Sequence, residues 1–284
     1  LNSELVVTGT QCALEYRFMA AIGRYSNIPV ISIFHGEADG VYNEPWIGYG
    51  ERSLSSHFVG YGKAGKNNSK TNKFCRTLYE HPNYISSNSD FVKNNYNGSN
   101  VDSLIETDLK NKKIMYVGSQ LYGNRRWGPF HIPPDTFYKK WQTALFDSFP
   151  NLIFKKHPKS LIPFIPFNTK YVAKGLLENQ IEKTDIFIFD IFSGAMVNAI
   201  ATQKPIIYFN IGLRNLTKEC EKLLRSRCVW IDVDTSMPFN LYELVKEKLP
   251  AERENYFSKR FSLGLEDFNS TPTKTYISNL AKSL

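Results

Sequence analysis

Short apolar runs alternate with segments of helical period along much of the chain. At the start, Leu5–Val7 reads as a strand, Cys12–Tyr25 as a helix and Val30–Phe34, entered through Pro29, as a second strand. A strand, a crossover helix and a strand form a unit whose two strands run parallel. An open sheet of this kind extends on both sides, so the first strand predicts that this domain is truncated, with a missing part ahead of Leu1. Residues 40–110 lack long periodic runs and are rich in Gly, Asn, Ser and Tyr, which predicts loops and short elements. The rhythm returns at Ile114–Val117. A helix follows in "PPDTFYKKWQTALFDSF", with Asp135 as its cap, then a strand in "NLIFKKHP". Next come the strand "DIFIFD", the helix "SGAMVNAIAT", the strand "PIIYFN", the helix "LTKECEKLLRSR" and the strand "VWIDVD". The tail reads as helical in "LYELVKEKL" and "TKTYISNLAKSL". The expected fold is α/β, two Rossmann-like domains with mostly parallel sheets, divided into residues 1–110 and 111–284.

Composition narrows this little. With 284 residues and 42% hydrophobic positions, the chain can bury a sizeable core. No run of about 18 apolar residues points to a membrane span. The four cysteines (Cys12, Cys75, Cys220 and Cys228) are widely spaced, which predicts neither a disulfide framework nor a zinc site and places the chain in a reducing cytoplasm. A formal charge of +8 favours acidic partners such as nucleotide phosphates or an anionic membrane surface. The basic residues are scattered and no recognition motif accompanies them, so no nucleic-acid partner is expected.

In open parallel sheets the chemistry gathers where strands end and helices begin, which selects four loops. Ser193 and Gly194 follow "DIFIFD" and start a helix; the serine is either a plain helix cap or a phosphate ligand aided by exposed N–H groups and the helix dipole. In "KKHP", Lys156 and His157 close a strand and are either phosphate contacts or a solvated turn. In "FHGEADG", His35 beside Glu37 and Asp39 makes either a general base with carboxylate neighbours or a turn of local hydrogen bonds. In "YVGSQLYGNRRWG", Ser119, Gln120, Arg125 and Arg126 are either contacts to phosphate, base or sugar, or a solvated loop. Neither a Walker loop, a GxSxG elbow nor an HExxH helix occurs, and no GxGxxG follows a segment read as a strand, since "GYGKAG" at residues 60–65 lies in the stretch read as loops; no obligatory metal is expected, because the DxD spacing at Asp232-Val233-Asp234 falls at a strand end. Asp232 and Asp234 in "IDVD" read as strand-end caps.

The order "FHG", "KKIMYVGSQ", "KKHP" and "TDIFIFDIFSGAMVNAIATQKPIIYF" resembles the GT-B glycosyltransferases of bacterial surface and capsular polysaccharide synthesis. It is most similar to the CDP-glycerol glycerophosphotransferase and capsule Kdo-transferase types. The resemblance implies an acceptor-side domain at 1–110 and a nucleotide-donor domain at 111–284. It also implies donor contacts at Lys156, His157, Ser193, Gly194 and Asn198, and His35 as the acceptor base. Partners would be a nucleotide-sugar donor and a glycan or lipid-linked acceptor, with peripheral contact at an anionic membrane and no separate cofactor. Two departures stand out: "HGEADG" replaces the glycerophosphate enzymes' "HGTxxK", and "DIFS" replaces their "DYSS". Both favour a sugar over glycerophosphate as the transferred group. The non-hydrolysing UDP-sugar 2-epimerases are a second resemblance, although Asn198-Ala199 stands where those enzymes carry an acidic pair. A non-catalytic nucleotide-binding module of a polysaccharide-assembly complex is a third reading.

Overall fold

The computed structural model describes residues 4–11, 13–36, 39–43, 48–66, 82–119, 135–158, 160, 171–233, 240–249, 251–264, 278, 279 and 282. The fold is α/β, with two parallel sheets in two compact units. The first unit draws on Leu1–Tyr96, Leu216–Cys220 and Phe257–Leu284, the second on Asn97–Asn215 and Glu221–Tyr256.

In the first unit, β1 (Val6–Thr8), β2 (Val30–Ile33), β3 (His57–Tyr61) and β4 (Asn83–Ser87) lie side by side in that order, every pair parallel. Helix α1 (Leu14–Tyr25) crosses from β1 to β2, as its apolar pattern predicts. It packs through small residues, Ala20 and Gly23, and leaves Leu14, Phe18 and Tyr25 exposed. Two strands, β3 and β4, fall in the stretch read as loops. Their sequences "HFVGY" and "NYISS" carry too few apolar side chains to signal a strand; β3 is extended by pairing in register with the buried β2, and β4 by pairing with β3. Helix α2 (Asp90–Asn95) follows β4, capped by Ser89, whose hydroxyl accepts from the Val92 N–H.

In the second unit, α3 (Glu106–Asn111) leads into β5 (Ile114–Val117), and α4 (Asp135–Ser148) joins β5 to β6 (Ile153–Lys155). Then come β7 (Tyr171–Val172), a 3-10 turn at Glu178–Lys183, β8 (Ile186–Phe189), α5 (Gly194–Ala201) and β9 (Ile206–Asn210). Helix α6 (Lys218–Arg227), whose first turn is grouped with the first unit, β10 (Val229–Asp232) and α7 (Leu241–Lys248) complete the pattern; α8 (Phe257–Phe261) belongs to the first unit. Residues 97–110, grouped with the N-terminal stretch by composition, lie in this second unit, where Leu104 and Leu109 join the core beside Ile114.

The six parallel strands run β10-β9-β8-β5-β6-β7. The central strands "IMYV" and "IFIF" are buried at every position, as a parallel sheet covered on both faces requires. Trp141 of α4 meets Phe209 edge-on, and Tyr116 stacks on Phe154. Each such ring removed from water contributes about 1.5–3 kcal/mol. The strand order also fixes where a ligand fits. From β5 the chain winds outward through β6 to β7, then returns to β8 beside β5 and winds the other way. The strand order therefore reverses between β5 and β8, and the carboxyl ends of these two strands are the topological switch point of the sheet, where a ligand crevice is expected.

Cys220 and Cys228 are buried free thiols, and burial pushes the Cys228 thiol up to about 12. Asp232 sits at its strand end as predicted, accepting from Asn210 Nδ2 at 2.8 Å, Trp230 Nε1 at 2.9 Å and Arg225 Nη2 at 2.9 Å. Asp234 lies outside the described residues. Among the described residues, no helix is long and apolar enough to cross a membrane.

Candidate active-site residues in the two units

The switch point of the second unit brings three of the sequence-selected segments to one sheet edge. Ser119 follows β5, Lys156 and His157 follow β6, and Ser193 with Gly194 follows β8; these three strands are consecutive neighbours, all parallel. Ser193 is the N-cap of α5: its Oγ accepts from the Met196 N–H at 3.4 Å. That role uses the oxygen as an acceptor and leaves the O–H able to donate outward. Gly194, the first helical residue, is exposed, and a Cβ placed on it would meet nothing within 4 Å. Protein packing therefore does not require glycine there; what its small size leaves open is the approach to the helix N-terminus.

His157 and Lys156 are half-buried, and the His157 carbonyl accepts from the Ser160 N–H at 3.1 Å. The buried lysine of the segment is Lys155, whose ammonium donates to the Lys156 carbonyl at 3.2 Å. Burial lowers the Lys155 pKa, and Glu178 counters part of that. Asn198 is not at the crevice mouth: it is 2% exposed inside α5 and donates through Nδ2 to Glu178 at 2.7 Å. Its geometry is that of a brace between α5 and the Glu178–Lys183 turn. Gln120, Arg125 and Arg126 lie outside the described residues.

Beneath the crevice sits Asp190, the last residue before the β8 loop turns and 1% exposed. Its Oδ2 accepts from Tyr116 Oη at 2.6 Å, Tyr138 Oη at 2.8 Å and Trp141 Nε1 at 2.9 Å. Tyr138 Oη in turn accepts from the Ser119 N–H at 2.7 Å. Burial raises the Asp190 pKa to about 6 against the opposing pull of those three donors, and burial beside Asp190 raises both phenols well above their ordinary value. The sign follows directly. A carboxyl that holds its proton more tightly folded than unfolded contributes stability below its ordinary pKa and loses it as pH climbs through about 6. Replacing Asp190 by Asn is expected to remove that loss. Chemical denaturation at about pH 4 and about pH 8 should show the variant gaining on the order of 2 kcal/mol relative to wild type across that window.

In the first unit, His35 ends the turn after β2, with 56% of its side chain exposed. Its Nδ1 lies 2.9 Å from Oε1 of Glu51, whose side chain is wholly buried in the π-helical turn Gly48–Arg52. Thr10 Oγ1 donates to the same oxygen at 2.8 Å. A carboxylate at Nδ1 holds the proton there and leaves Nε2 as the acceptor, the tautomer a general base needs. The carboxylate that orients His35 is thus Glu51, which lies 16 residues downstream in a segment with no recognisable motif.

Asp39 is corrected by the structure. Rather than a catalytic carboxylate, it is 0% exposed and clamped by Arg52, whose Nη2 reaches both carboxylate oxygens at 2.5 Å. Tyr84 Oη donates to its Oδ2 at 2.9 Å. With both oxygens engaged and no solvent, it can neither take a proton from a substrate nor attack one. Glu37 lies outside the described residues. Among the described residues, no group of three or more His, Cys, Asp or Glu side chains is placed to hold a metal.

No family model matches the sequence, and no curated protein matches it. Among solved structures, the glycosyltransferase SnogD from Streptomyces nogalater is 14% identical with a TM-score of 0.39, over 89% of this chain and 70% of that one. Spinosyn forosaminyltransferase SpnP is 11% identical with a TM-score of 0.39, over 87% of this chain and 66% of that one. CobK precorrin-6A reductase is 11% identical with a TM-score of 0.25, over 72% of this chain and 87% of that one. Likenesses of this size do not select an activity, so the functional reading rests on the residues.

Proposed function

We propose that the chain is a glycosyltransferase that moves a sugar from a nucleotide-activated donor to an acceptor hydroxyl. The observation that carries this reading is the open N-terminus of α5 at the switch point, where Ser193 caps the helix and Gly194 leaves its backbone approachable. N–H groups and a helix dipole directed into such a crevice favour a diphosphate. His157, at the end of β6, adds a second polar group at the same edge.

In the reaction, the acceptor oxygen forms a bond to the sugar's anomeric carbon as the bond from that carbon to the donor phosphate breaks. The electron pair leaves with the nucleotide diphosphate, whose growing charge meets the helix N-terminus. The acceptor proton needs a general base, the role that the sequence resemblance implies for His35; a proton taken at Nε2 would leave an imidazolium that Glu51 at Nδ1 stabilises. No step calls for a separate cofactor. The sequence resemblance supports the finer assignment: bacterial surface polysaccharide synthesis, a glycan or lipid-linked acceptor, and work on the cytoplasmic side in peripheral contact with an anionic membrane.

Incubating the protein with CDP-, UDP-, GDP- and CMP-linked sugars, with and without glycan acceptors, tests this directly. Acceptor-dependent release of nucleotide is the expected result. Interconversion of a UDP-sugar without acceptor would indicate an epimerase instead, and tight binding without any turnover would indicate a non-catalytic module.

A further inference from the structure

The hydrogen bonds around Asp190 do more than satisfy a buried carboxylate, because they connect the two arms of the switch-point crevice. One arm starts at Asp190 itself, three residues ahead of Ser193. The other starts at Ser119, whose backbone N–H donates to Tyr138 Oη, which donates to Asp190. Tyr138 is 3% and Asp190 1% exposed, so water does not substitute for the link between them.

We propose that Asp190, acting through Tyr138, is a positioning residue that holds the β5 loop at Ser119 in fixed register with the phosphate-facing helix start at Ser193. This role rests on the functional reading above. Tyr116 provides the comparison within the same cluster. Its hydroxyl also donates to Asp190 Oδ2, at 2.6 Å, and lies 2.8 Å from Tyr138 Oη, but its further partner is Gln142 Nε2 at 3.2 Å rather than the loop backbone. Removing either hydroxyl strips one donor from the same carboxylate oxygen and leaves the ring in the core. Only the Tyr138 hydroxyl reaches the loop.

The test compares Tyr138→Phe with Tyr116→Phe, reading CDP and UDP affinity by calorimetry, melting temperature, and exchange of the Ser119 amide by NMR. The two variants should lose similar stability. Tyr138→Phe is expected to weaken nucleotide affinity about tenfold and to speed Ser119 amide exchange, whereas Tyr116→Phe stays within about twofold of wild type in both. Equal changes in affinity for the two variants, or none in either, would overturn the positioning role while leaving the functional reading intact. If the wild type binds neither nucleotide, the functional reading fails and the positioning role falls with it.

Discussion

Substituting His35 by Gln is expected to lower acceptor-dependent turnover by roughly 10²–10⁴-fold, the usual worth of a positioned general base. Nucleotide affinity should be unchanged, because the donor is assigned to the second unit. Glu51 holds a proton at Nδ1 of His35, which makes Nε2 the basic nitrogen of the tautomer, and the ring is more than half exposed. Glu51→Gln keeps a hydrogen-bond acceptor at Nδ1 but removes the charge that stabilises the imidazolium. It should therefore lose less than His35→Gln and lose it in kcat rather than KM. A His35→Gln enzyme that turns over like wild type would remove the base from the account. A Glu51→Gln enzyme with unaltered kcat would reduce Glu51 to a packing residue.

The second large effect is on stability and concerns Asp39. Replacing Arg52 by Met should destabilise the first unit by about 3–5 kcal/mol, because it strands a fully buried carboxylate. Arg52 also lies 4.6 Å above the Phe58 ring and donates to the Gly65 carbonyl at 3.3 Å, so its loss removes packing as well as charge. The surrounding backbone is built to the carboxylate's outline. A Cβ on Gly65 would lie 2.0 Å from Asp39 Oδ2, and one on Gly60 would lie 2.6 Å from it. The double replacement Asp39→Leu with Arg52→Met removes both charges together and should be less destabilising than Arg52→Met alone. Urea unfolding of the three proteins measures this. If Arg52→Met unfolds with the wild-type midpoint, the pair contributes nothing and the correction to Asp39 loses its physical basis.

Sequence reading located the elements whose apolar runs are long or strictly buried. β5, β8 and β9 sit in the predicted segments because a central parallel strand has to be apolar on both faces. β3 and β4 were illegible because their extended shape comes from neighbours rather than from their own side chains. The same distinction governs the site. Ser193 and His157 stand out as candidates because they are polar residues placed just after strands. Glu51 does not, since its relation to His35 exists only after the Gly48–Arg52 turn folds back onto the β2 end. Asp39 was assigned the wrong chemistry because proximity to His35 in sequence is not proximity of function, and Arg52 could not be seen as its partner. One signal was present but unread. Tyr138 and Trp141, three apart on α4, both carry a polar tip that requires an acceptor when buried, and Asp190 at a strand end supplies it.

The central claim, a nucleotide diphosphate at the α5 N-terminus, is tested most directly by calorimetric titration of CDP and UDP into wild type and Gly194→Ala. An added Cβ meets no protein atom within 4 Å and alanine is the better helix former, so the variant should melt no lower than wild type. The same Cβ intrudes on a ligand seated against the helix N-terminus, so affinity should fall about tenfold. Loss of affinity at undiminished stability is the predicted result. Undiminished affinity in Gly194→Ala, or no binding of either nucleotide to wild type, would contradict it.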